Sequence, residues 1–109
     1  MSVYHDAINH YGSTLQILKA AEKHAEYAAE LTQYGLALLQ GKRPKNANQL
    51  AEERADCEIM EKQMDIVLRD LNGAKTEWKR RKLERLSKMI TQETERITVG
   101  EMIAGDGDA

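Results

Sequence analysis

Four carboxylates could do chemistry in this chain: Glu22 and Glu26 near its start, Glu53 and Asp56 near its middle. Each pair is spaced three or four residues apart, which puts its members on one side of a helix. Both pairs also break an apolar line. In LAEERADCEIMEKQMDIVLRDL (50–71), Leu50, Cys57, Met60, Met64, Val67 and Leu71 recur at helical spacing, and Glu53 occupies the position between Leu50 and Cys57. In the preceding segment the line Leu15, Leu18, Ala25, Ala29, Thr32, Leu36, Leu39 is interrupted at Glu22. If the two segments pair as an antiparallel hairpin, the four acids meet, with Glu52 at their edge. Ionised carboxylates gathered in one half-buried place cost several kcal/mol each unless something positive compensates. Hard divalent cations prefer carboxylate oxygen, and Mg²⁺ keeps waters or phosphate oxygens as its remaining ligands. The plainer alternative is that these acids lie on a solvent edge and pair with Lys19, Lys23 and Arg54.

The elements that must position them are helices. Val, Ile and Thr nowhere alternate with polar residues long enough to form a strand, and Pro44 is the single proline. The expected class is all-α: an antiparallel bundle of three to four helices completed by oligomerisation, because 109 residues close only a modest core. Residues 2–11 form a short helix or cap, Gly12 interrupts, and Ser13 or Thr14 is the expected N-cap of a helix running to about Gln40. GKRPKNA (41–47) reads as a loop. Asn48 is the expected N-cap of the second long helix and Asn72-Gly73 its end. A third helix starts near Ala74, with Trp78, Leu83, Leu86 and Ile90 on it and the basic run Lys79–Lys82. Residues 1–97 read as one domain. The remainder, 98–109, reads as a flexible acidic tail, since the last eleven residues hold three glycines and three acids.

Composition narrows the functional classes. Charged residues are 31%, hydrophobic residues 41%, and the formal net charge is −2, which argues for neither nucleic acid nor membrane as a partner. No apolar run approaches the roughly 20 residues of a membrane span. The N-terminus lacks the order of a signal peptide, and the single cysteine, Cys57, cannot form an intramolecular disulfide. A cytoplasmic protein is the expectation. His5, His10 and His24 have no cysteine cluster to make a zinc site, Cys57 sits on an apolar seam as a core residue, and GxxxxGK[ST] is absent, so phosphate binding needs a metal and cationic side chains.

AEKHAEYAAEL followed by LAEERADCEIMEKQ resembles the MazG-like, all-α nucleoside triphosphate pyrophosphohydrolases, whose signature is EExxE on one helix and EExxD on the next. The second half is complete as Glu52, Glu53 and Asp56. YGSTLQILKAAE (11–22) looks like the lead-in of small stand-alone members, and EWKRRKLERL (77–86) like their basic closing helix, so the resemblance covers about residues 8–90. It implies Mg²⁺, or Mn²⁺, held by Glu22, Glu26, Glu53 and Asp56, with Glu26 or Glu53 as catalytic base. It implies Lys82 and Arg85 on the phosphates and Gln16 near base or ribose. It implies a homodimer or homotetramer. The implied reaction cleaves a nucleoside triphosphate between the α and β phosphates, to a monophosphate and pyrophosphate, in nucleotide-pool control or house-cleaning. Lys23 is the departure: it stands where the family signature has its second glutamate. The rival class is a non-catalytic helical interaction module with a degenerate site.

Overall fold

The computed structural model describes residues 2–108, with side chains described for residues 2–100. The chain is helical: α1 Val3–Tyr11, α2 Ser13–Leu39, α3 Ala47–Val67, a 3₁₀ turn Arg69–Leu71, and α4 Asn72–Asp108. No strand occurs among the described residues. It falls into two compact units, Met1–Arg69 and Asp70–Ala109. No helix among the described residues is long and apolar enough to cross a membrane.

Two glycines set the ends of α2. Gly12 takes φ 91°, closes α1 through its N–H to the Ile8 carbonyl (2.8 Å), and accepts from the Gln16 N–H (3.1 Å) to open α2. Its missing Cβ makes that left-handed conformation accessible, so Gly12, and neither Ser13 nor Thr14, occupies the N-cap position. At the other end Gly41 has φ 70°, its N–H meets the Leu38 carbonyl (3.0 Å) and the Lys42 N–H meets the Ala37 carbonyl (2.8 Å). That pair of bonds is a Schellman stop. The loop is then tied back to α2 by Asn46, whose amide donates to the Glu30 carboxylate (2.6 Å) and carbonyl (3.1 Å).

Two expected boundaries move. α3 begins behind Asn46 rather than Asn48. Asn72-Gly73 opens α4 instead of closing α3, because Gly73 has no positive φ and the turn is made earlier, by the 3₁₀ segment. The tail expected from residue 98 falls within α4 as far as Asp108, and its side chains from 101 onward lie outside the described residues.

α2 and α3 pack antiparallel: Glu30 meets Asn46, Lys23 meets Asp56, and Ala20 joins Met60. On α3 the inward face is the one the spacing predicts, with Leu50 and Val67 half-buried and Glu53, Cys57, Met60 and Met64 buried. On α2 it is a different face. Gln16 and Ala20 are buried and Lys23, Tyr27, Glu30, Tyr34 and Ala37 half-buried, while Leu15, Leu18, Leu36 and Leu39 stay exposed. At 3.6 residues per turn the two stripes lie roughly 150° apart around the helix. The inward one wins because tyrosines and alanines supply apolar bulk while Lys23 and Glu30 find partners. α1 packs on both helices.

The apolar centre is small: Ala20, Met60 and Met64, with Val67 and Leu68 against it. Replacing Met60 by alanine should therefore destabilise this unit by roughly 2–3 kcal/mol, the lower part of the usual Met→Ala range, since the rim of so small a core can relax. Hydrogen exchange at the α2 and α3 amides reads this unit separately from α4; a loss below about 1 kcal/mol would mean that polar pairing, not this core, holds the hairpin.

Candidate functional site

Midway along the α2–α3 pair the apolar contact gives way to charge. Lys23 on α2 points its ammonium between two carboxylates, Glu26 Oε2 at 3.3 Å on its own helix and Asp56 Oδ2 at 3.4 Å on α3. Its side chain is 23% exposed. The hydrogen bond to Glu26 does most to hold the lysine pKa above its usual value, Asp56 adds to it, and desolvation works the other way. Below Lys23, the Cys57 thiol donates to the Lys23 carbonyl (3.3 Å), a sequence-distant bond that pins α3 to α2 at this level.

Glu53 is the buried member of the group, at 8% exposure. Its Oε1 accepts from Gln49 Nε2 at 2.9 Å, one turn earlier on α3. Its Oε2 is buried without a hydrogen-bond partner. Burial is the largest cause pushing the Glu53 pKa up, the Glu26 carboxylate adds to it, and Gln49 and Lys23 oppose it. Cys57 has a raised pKa for the same two reasons, burial first and then the surrounding acids. A buried protonated thiol that donates to a carbonyl is a structural group, not a nucleophile.

The hairpin thus brings Glu26, Glu53 and Asp56 to one level, around Lys23. Glu22 stands apart, exposed on the flank of α2 and paired with Lys19 at 3.6 Å. Among the described residues no three His, Cys, Asp or Glu side chains gather closely enough to hold a metal ion. The donor chemistry nevertheless fits a hard divalent cation: all three groups offer carboxylate oxygen, and Glu53 Oε2 is an acceptor with no donor. Lys23 is the competitor that such an ion has to displace, and a lysine stem can swing its head into water.

Between α1, α2 and α3 lies a cavity of about 570 Å³, walled by Leu15, Leu18 and Met60, with Gln16, Gln63 and Glu22 among its polar lining. Gln16 is 6% exposed and donates weakly to the Ala7 carbonyl at 3.5 Å. Gln63, 5% exposed, leaves Oε1 without a partner. Gln63 is the residue that sequence reasoning missed; its only signal was an amide one step from Met64 on an apolar helix face.

Lys82 and Arg85 belong to the second unit. Both are exposed on α4 and have no ion pair among the described residues. Their neighbours are engaged locally: Arg80 bridges Glu77 (2.7 Å) and Glu84, Arg81 reaches Glu77 (3.0 Å) and also lies 5.4 Å from the Trp78 ring centroid. No protein-family model, curated protein or solved structure matches the chain.

Because the folded-state pKa of Glu53 is raised, its ionisation opposes folding. The stability linked to it is fully present below the ordinary glutamate range and is lost as pH rises through the raised value. Glu53→Gln removes that loss, and its new amide can donate toward Glu26. The variant should be more stable than wild type at neutral pH and should show a flatter dependence between mildly acidic and neutral pH, measured by urea titrations at each pH. A variant less stable than wild type at neutral pH would show that the ionised carboxylate is already compensated.

Proposed function

We propose that the acidic level of the α2–α3 hairpin is the catalytic face of an all-α nucleoside triphosphate pyrophosphohydrolase. Water and a nucleoside triphosphate give a monophosphate and pyrophosphate, in the service of house-cleaning or nucleotide-pool control. The observation that carries this reading is the buried, unpartnered Oε2 of Glu53, set beside Glu26 across the helix pair and level with Asp56. An unpaired buried carboxylate oxygen is costly to keep, and a site for phosphate chemistry gives it a use. The resemblance of residues 8–90 to the MazG-like family points the same way.

In this reading Glu26, Glu53 and Asp56 hold Mg²⁺ or Mn²⁺, with Glu22 on the flank. When bound, the ion clamps phosphate oxygens, neutralises their charge and lowers the pKa of the attacking water. Glu53 or Glu26 takes the proton from that water; a carboxylate whose pKa is pushed up by burial is a better acceptor near neutral pH than one in bulk water. The resemblance assigns Lys82 and Arg85 of the second unit to phosphate, a role that suits the arginine as a fork and the lysine as a point charge. Gln16 and Gln63 offer amide groups to the base or ribose. A bundle completed by a second copy belongs to the same proposal.

A specific observation supports a second reading. The Lys23 ammonium already neutralises Glu26 and Asp56, as in a helical interaction module that needs no metal. Two experiments separate the readings. Incubation with standard and modified nucleoside triphosphates and Mg²⁺ should release pyrophosphate from at least one, and Glu53→Gln should slow that release by on the order of a hundredfold or more, the scale of a lost general base. No release from any substrate decides for the module, and equal release by the variant removes Glu53 from the catalytic role.

Lys23→Glu should tighten Mn²⁺ binding at least about tenfold by calorimetry, since that needs only about 1.4 kcal/mol from a two-unit change of charge beside the ion. Unchanged or weaker affinity would place the cation away from Lys23.

A further inference from the structure

The three carboxylates of the acidic level are held in two different ways. Glu26 and Asp56 share the Lys23 ammonium, at 3.3 Å and 3.4 Å. Glu53 is held from its own helix. Gln49 lies one turn earlier on α3, which stacks the two side chains on one face. Its Nε2 donates to Glu53 Oε1 at 2.9 Å. An ionised carboxylate only accepts, so the amide nitrogen, and not the amide oxygen, must face it.

The choice of an amide matters. Lysine or arginine at position 49 would hold the same oxygen and also cancel its charge. Glutamine supplies a donor that carries no charge. Glu53 is 8% exposed, and its other oxygen, Oε2, is buried with no hydrogen-bond partner. One oxygen is therefore tethered, the other is unsatisfied, and the tether leaves the negative charge in place. Lys23 does not do this work, because it pairs with the other two acids. A cation arriving at this level displaces Lys23 from those acids. The tether lies wholly within α3, so Glu53 keeps its place when Lys23 swings away.

We infer that Gln49 is a positioning residue of the acidic level: its amide fixes Glu53 by Oε1 and leaves Oε2 to a hard divalent cation. The inference rests on the metal site proposed above. Gln49 acts through Glu53 and touches neither substrate nor ion. Two effects oppose each other. The hydrogen bond draws charge from the carboxylate and weakens it as a ligand. It also spares the ion the cost of ordering a rotamer-rich glutamate. Removing an outer partner of a metal ligand usually weakens metal binding by roughly 10–100-fold, so ordering wins.

Calorimetric Mn²⁺ titrations of the full chain test this, with the fold of each variant checked by circular dichroism. Gln49→Met keeps the length of the side chain and loses the donor, and its Mn²⁺ affinity should fall at least about tenfold. Asn48→Met removes the neighbouring exposed amide and should leave affinity unchanged. Glu53→Asp withdraws the carboxylate from Gln49. On that background Gln49→Met should have almost no further effect, the mark of a residue that acts through another. Urea titrations run alongside, because a merely structural glutamine would lower the unfolding midpoint and leave the affinity of the folded protein unchanged. Wild-type affinity in Gln49→Met overturns the inference and leaves the metal site standing. An equal loss on both backgrounds overturns it too, since Gln49 would then act without Glu53. A wild type that binds no Mn²⁺ at millimolar concentration removes the metal site, and the inference with it. If Gln49→Met loses helix, Gln49→Asn, whose amide is too short to reach, decides in its place.

Discussion

The ammonium of Lys23, held between Glu26 and Asp56, is the interaction on which the hairpin depends. It is the cross-helix ion pair at the level where Glu53 is buried, and it offsets repulsion among three acids brought together by helix packing. An ion pair this exposed adds little stability by itself. Its importance lies in what its absence would leave, a half-buried group of like charges with no counter-ion. Lys23 lies on the face of α2 that turns toward α3, while the leucine stripe on the other side of the helix stays exposed.

α2 carries two seams of different composition. The inward one is mixed, with Gln16, Lys23 and Glu30 among alanines and tyrosines, and it obtains specificity from named partners: Asp56, Asn46, and His24 beside it reaching Glu61 at 3.0 Å. The outward one is apolar. Within this unit the stronger hydrophobic stripe stays exposed while the weaker one is used.

Two buried oxygens without donors, Glu53 Oε2 and Gln63 Oε1, flank the same stretch of α3. Native proteins keep few such groups, and each one asks for an explanation. Glu53 Oε2 belongs to the acidic level, and Gln63 lines the cavity between α1, α2 and α3.

The sequence determined the helical class and the α3 face. Leu50, Cys57, Met60, Met64 and Val67 turn inward as their spacing requires, since period alone decides which residues share a helix side. It also determined that Glu53 would be forced into the interface, and that Cys57 would be core. It could not decide which stripe of α2 meets α3. Both stripes have helical period, and hydrophobicity favoured the outward one; the choice came from partners distant in sequence, Asp56 for Lys23 and Asn46 for Glu30. Glu22 followed the stripe it belongs to and left the acid cluster for that reason. The ends of α2 and the turn before α4 were likewise tertiary decisions, because a glycine signals a turn only where the backbone takes positive φ, as Gly12 and Gly41 do and Gly73 does not.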